Sequence, residues 1–147
     1  MNMIRSLSSK TTTTPDRLAA KRISEKVFSI STDIRSVAVY LHGKLATVSR
    51  PILSGASWWD SDKYEELIVN PTLLTLLRQR GDIDCGGIQY IIIRYGNFVQ
   101  FVHPVIGGHI SVGFEPNTDY GRFLPGIIKY LRKQKLINVK EDSHGSN

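Results

Sequence analysis

The residues able to do chemistry in this sequence are few. Its four histidines are His42, His103, His109 and His144. His103 and His109 lie on what read as adjacent strands and would become neighbours across that pair. Two imidazoles can begin a metal site, but zinc needs further ligands, and no carboxylate stands near them in the sequence. Gly107-Gly108 directly precedes His109. A diglycine cradles phosphate where a helix begins behind it; none is expected here, so it reads as a strand-connecting turn. Cys85 is the single cysteine, which excludes an intramolecular disulfide framework and an all-cysteine metal site. A Cys85–His nucleophile pair would need a thiolate, which the negative charge of Asp82 and Asp84 disfavours. Glu65-Glu66 and Asp82/Asp84 are carboxylate pairs, and each reads as helix-end or turn residues rather than an acid–base pair. The nucleotide-loop patterns GxxxxGKS/T and GxGxxG and the zinc-protease pattern HExxH are missing. The expectation is a binding or scaffold protein, not an enzyme, with no catalytic residue, metal or cofactor assigned.

The elements that would position these residues are legible from periodicity. Residues 1–13 are polar and Thr-rich without a period, and are expected to be a disordered arm. Thr14-Pro15 is a helix start, Thr14 as N-cap and proline at the first helical position. Ala19, Ile23, Val27 and Ile30 continue at helical spacing. Ser36 to Leu41 and Lys44 to Arg50 alternate as strands around a His42-Gly43 turn. Residues 51–61 form a connection with Trp58 and Trp59, of which an exposed one would be an interface candidate. Asp62 to Glu65 resembles a capping box ahead of an amphipathic helix. Asn70-Pro71 is expected to interrupt that helix, and Gly81 to end it.

The stretch from Gly86 to Glu115 reads as a three-strand meander, with turns at Gly96-Asn97 and Gly107-Gly108. Glycine at 96 is expected to supply a positive φ. A last helix spans roughly 125–135, and the tail 138–147 is expected to be disordered. The order α-β-β-α-β-β-β-α predicts an α+β fold, one five-stranded antiparallel sheet covered by helices, in a single domain over residues 14–137.

The net charge of +6 raises nucleic acid as a partner. Basic clusters at Arg17/Lys21/Arg22/Lys26 and Lys129/Arg132/Lys133/Lys135 fall on the first and last helices, where a solvated helix face is the simpler reading. No run is long and apolar enough to insert in a membrane. No apolar signal-peptide core is present at the start, and cytoplasm is the expected compartment.

The order of elements resembles that of the Roadblock/dynein light chain family, a branch of the profilin-like fold. IRSVAVYLHGKLATVSR looks like the family's first hairpin, with Gly43 at the turn. YGNFVQFVHPVIGGHISVGFEPNTDYGRF looks like its last strand pair and the entry to its final helix, with Gly121 near that helix start. The likeness spans residues 17–135 and rests on apolar and glycine patterns. Pro71 and Pro125-Gly126 depart from it. The resemblance implies a non-enzymatic adaptor that pairs with itself or with a related chain through the third strand and second helix. It further implies a partner such as a Ras-like small GTPase, a motor or a signalling assembly.

The residues agree with pairing in two places. The strand Ile88 to Tyr95 is apolar on both faces, hazardous for an edge strand unless paired. Leu73, Leu74, Leu76 and Leu77 exceed what one sheet face needs. The expected dimer interface is therefore Ile88, Tyr90, Ile92, Leu73, Leu74 and Leu77, and the partner surface Trp58, Trp59, Arg78 and Arg80. The alternatives are a basic nucleic-acid-binding module, and a small-molecule sensor using the Gly107-Gly108-His109 loop.

Overall fold

The computed structural model describes residues 14–50 and 61–138. The expected arm 1–13, nearly all of the tail 138–147 and the connection with Trp58 and Trp59 lie outside the described residues.

Helix α1 (Pro15–Phe28) starts where Thr14-Pro15 indicates, and the Arg17 N–H donates to Thr14 Oγ1 at 3.3 Å. Its buried stripe is Ala20, Ile23, Ser24 and Val27. Ala19 is only half-buried, and Ile30 is exposed because the helix stops at Phe28 before the stripe reaches it. Strands β1 (Ile34–Leu41) and β2 (Lys44–Ser49) meet at His42-Gly43, both at positive φ.

The second helix does not break at Asn70-Pro71. Residues 61–64 are helical, Glu65–Val69 make a π turn, and helix α2 (Asn70–Asp84) continues from it. The Asn70 N–H bonds to the Glu65 carbonyl five residues back. The wider turn thus falls immediately before Pro71, where a regular turn would crowd the proline ring against the carbonyl four residues back. Asp62 accordingly lies inside a helical turn and not at its cap. The helix also runs past Gly81. It ends at Asp84, followed by Gly86 at φ +79, and the Gly87 N–H bonds to the Gly81 carbonyl at 3.0 Å. A Cβ on Gly81 would sit 3.1 Å from the Ile88 nitrogen, so glycine there lets the outgoing chain fold back on the helix.

That return path holds Ile88 to Tyr90 outside the sheet, and β3 is only Ile91–Arg94. Strands β4 (Val99–Val105) and β5 (Gly108–Phe114) complete the meander. The Tyr95 N–H to Phe98 carbonyl bond, 2.9 Å, closes the β3–β4 turn, but Gly96 does not take the expected positive φ. At the β4–β5 turn a Cβ on Gly108 would fall 1.7 Å from the Tyr40 carbonyl oxygen, so this diglycine is a turn pressed onto the end of β1.

The sheet is antiparallel and five-stranded in the order β2-β1-β5-β4-β3. The side-chain period of two gives it two unlike faces. Val37, Val39, Phe101, Ile110, Val112 and Phe114 point to one side, against Ala20, Ile23 and Val27 of α1. Helix α3 (Leu124–Lys133) adds Leu124, Ile127 and Leu131 to this core, after a short 3-10 turn at Tyr120–Arg122. Each fully buried Leu, Ile or Phe there contributes about 1.5–3 kcal/mol. The opposite face carries Ser36, Gln100, His109 and Ser111, and it faces the π turn and α2.

Candidate functional site

The polar face is organised by one carboxylate. Glu66 is 1% exposed, turned inward by the π turn. Its Oε1 receives His109 Nε2 at 2.8 Å and Asn70 Nδ2 at 3.1 Å. Its Oε2 receives Ser111 Oγ at 2.5 Å and Gln100 Nε2 at 3.4 Å. With the carboxylate oxygen as acceptor, His109 Nε2 is the donor of this contact. Strand β5 alternation places His109 and Ser111 on the same face, and the register of β4 and β5 brings Gln100 beside them. Isolated buried charge is expensive; four donors around one carboxylate offset much of that cost.

This network does not reproduce a nucleophilic triad. Ser111 gives its hydroxyl hydrogen to the carboxylate, not to an imidazole, and is buried. Nor do the two strand histidines meet. His103 pairs with Ile110 and faces Phe101 and Tyr90 on the apolar side, while His109 faces Glu66. Among the described residues no group of His, Cys, Asp and Glu is placed to hold a metal ion. Cys85 is exposed, its Sγ 3.4 Å from Asp84 Oδ1. Asp84 also takes Arg80 at 2.7 Å, and this guanidinium and then the Cys85 thiol hold its carboxyl below the ordinary range.

Above Glu66 a cleft of about 340 Å3 opens between the π turn and the sheet. Asp62, Glu65, Tyr95, Asn97, Gln100 and Arg35 line it. Burial, and then the charges of Glu66 and Glu65, push the Asp62 carboxyl up from 3.8 to about 6. Burial raises Glu65 too, opposed by the Tyr95 hydroxyl that donates to it at 3.0 Å. Tyr95 is pushed up to about 12, first by burial and then by Glu65. The Arg35 guanidinium turns elsewhere: it donates to the Asn97 carbonyl at 2.8 Å and stacks 5.0 Å from the Phe98 ring centre.

The residues singled out for an interface are distributed unevenly. Leu77 and Tyr90 are exposed, and Ile88, Ile92 and Leu73 half-buried. Ile92 packs toward the apolar core. Leu74 is 4% exposed and belongs to the chain's own packing, so it is removed from the surface. Arg78 and Arg80 are exposed. The outer side of the helix instead presents Tyr64, Leu67, Ile68, Leu76 at 57% exposure and Ile83 at 75%. The expected interface leaves these out, although Leu76 reads as surplus apolar surface in the sequence; Ile83 lies beyond Gly81, where the sequence predicts the helix to end.

Among solved structures, the chain is similar to a Roadblock/LC7 domain from Streptomyces avermitilis, with a TM-score of 0.56. The fold is Roadblock-like. The match covers 80% of this chain and 98% of that one at 14% identity, which carries the fold and not the site. No family model and no curated protein matches the chain. Within the Roadblock-like fold the Glu66 network rests on this chain's own residues. No helix among the described residues is long and apolar enough to cross a membrane.

Proposed function

We propose that residues 14–137 form a single Roadblock-like, non-enzymatic adaptor domain that pairs with itself or with a related chain. In that form it binds a Ras-like small GTPase or a motor or signalling assembly in the cytoplasm. The observation that carries this reading is the outer side of the second helix. Tyr64, Ile68, Leu76, Leu77 and Ile83 leave large apolar side chains in water along its length, and β3 stands at an open sheet edge. Large apolar side chains left exposed along one helix support an interaction site there. An edge strand as apolar as Ile91–Ile93 invites a partner strand. A two-fold contact relieves both at once. Light scattering across protein concentration tests the pairing, and capture with the intact dimer as bait then tests the partner class.

A second reading is favoured by one arrangement. Helices α1 and α3 cover the same sheet face, with Arg22 close enough to Tyr130 to bear on its hydroxyl. The two basic clusters therefore share one side of the molecule. A nucleic-acid surface there predicts binding that weakens steeply with salt. No mobility shift of RNA or DNA at low salt would remove this reading.

A further inference from the structure

The Gly107-Gly108-His109 stretch borders a groove of about 310 Å3 between helix α2 and the sheet. Pro71, Leu74, Thr75 and Arg78 recur at helical spacing and form the stripe of α2 that lines it. Tyr40, Val105 and His109 face that stripe from β1, β4 and β5. The two glycines add backbone and no side chain to the wall.

Two polar groups of this groove lack partners. His109 is 2% exposed, and its Nε2 is committed to Glu66 at 2.8 Å. The other ring nitrogen, Nδ1, makes no hydrogen bond among the described residues. Unlike the buried amide oxygens of Asn70 and Gln100, it is not sealed from solvent, and the groove is where the ring surfaces. A polar atom of so buried a side chain calls for a partner. The second group is the Arg78 guanidinium. It is exposed and enters no ion pair or hydrogen bond among the described residues, although Asp82 stands four residues on. Arg80 does pair with Asp84 across the same spacing. Among the described residues no carboxylate lines the groove.

We propose that this groove binds a small hydroxycarboxylic acid, its carboxylate on Arg78, its hydroxyl on His109 Nδ1 and its apolar body against Leu74 and Pro71. The chemistry follows from the groups present. A guanidinium presents a planar fork of donors that matches a carboxylate, and such charge-assisted bonds are among the stronger ones. One guanidinium balances the single charge of a carboxylate, whereas a phosphate monoester brings more charge than Arg78 offsets. A hydroxyl both donates and accepts, so it satisfies Nδ1 whether or not the ring carries a second proton. A volume of about 310 Å3 lies at the small end of ligand pockets and lets one compact molecule reach both groups. The exposed Leu76 is on a different side of the helix from Leu74 and Arg78, so the site stands or falls apart from the adaptor reading.

The test is calorimetric titration of the full chain at pH 7.5 with 4-hydroxyphenylacetate. Its counterparts are phenylacetate, which lacks the hydroxyl, and 4-hydroxyphenylacetamide, which lacks the charge. The hydroxy acid is expected to bind, the amide about tenfold or more weaker and phenylacetate about fivefold or more weaker. Arg78→Gln, at an exposed position, should weaken the hydroxy acid by about tenfold or more, with circular dichroism showing the variant folded. Replacing His109 would disturb the Glu66 network, so its role is read in the native chain. Nitrogen NMR of protein with isotope-labelled histidine should show the His109 Nδ1 resonance shifting as the hydroxy acid is added. No binding at millimolar hydroxy acid, equal binding of either counterpart, undiminished binding by Arg78→Gln, or an unmoved His109 Nδ1 resonance would overturn the proposal.

Discussion

Glu66 and His109 stand 43 residues apart in the chain and 2.8 Å apart in the fold. The contact joins the π turn to the middle of the sheet, on the face that the apolar core does not use. It makes the polar side of this molecule a fixed network and not a solvated surface.

Removing the carboxylate should therefore be severe. Glu66→Ala leaves His109, Ser111, Asn70 and Gln100 without their shared acceptor and should lower stability by about 3–5 kcal/mol. A double-mutant cycle with His109→Ala should show coupling of about 1–3 kcal/mol in urea denaturation. Additive losses would mean that the pair contributes no shared energy.

Much of the fold can be read before any coordinates. Alternation marks β1 and β2, and His42-Gly43 marks their turn, because those signals are local. Thr14-Pro15 marks a helix start for the same reason. The site was hidden by three non-local facts. Pro71 reads as a break because helical periodicity assumes bonds four residues back, whereas Asn70 bonds to Glu65 five back. That shift turns Glu66, which reads as a helix-end residue, into the interior. Its partners His109 and Ser111 then come from β5, whose pairing only the folded sheet decides. Ile88 to Tyr90 read as strand by residue type, but Gly86 and the Gly81 contact route them off the sheet.

The Asp62 carboxyl sets a pH dependence. Its folded value, about 6, lies above its ordinary 3.8, so between these values the folded protein holds a proton that the unfolded chain has released. The linked stability is fully present below 3.8, falls as pH rises through this window, and is lost above about 6. Asp62→Asn should flatten that part of the profile and raise the melting temperature at pH 7.5. After allowance for solvent screening the gain is on the order of 1 kcal/mol. A melting temperature that falls at pH 7.5 would contradict the assigned burial.

The turn at Gly107-Gly108 is predicted to tolerate no side chain at its second position. A Cβ on Gly108 would overlap the Tyr40 carbonyl oxygen, which is backbone of a central strand and cannot swing away. Gly108→Ala should cost at least about 4 kcal/mol, read as loss of cooperative thermal unfolding. A variant with near-native melting would show that the hairpin and β1 are less closely apposed.

Two leucines two residues apart, on different sides of the helix, should behave differently. Leu74→Ala removes a buried side chain and should cost about 2–4 kcal/mol at every protein concentration. Leu76→Ala removes an exposed one and should leave the stability of the dissociated chain within about 0.5 kcal/mol. Its effect should surface only as a concentration-dependent fall in melting temperature, as expected when folding and association are linked. Equal, concentration-independent losses for the two would place Leu76 in the chain's own packing.

The adaptor reading is tested most directly by solution mass. Multi-angle light scattering over a range of protein concentrations would compare the wild type with Leu76→Glu, an exposed position where a charge does not disturb the core. The wild type should reach twice the chain mass of 16.5 kDa in the high micromolar range, and the variant should stay a folded monomer with an unchanged circular dichroism spectrum. A wild type of single-chain mass at every concentration would contradict pairing through the second helix and the β3 edge.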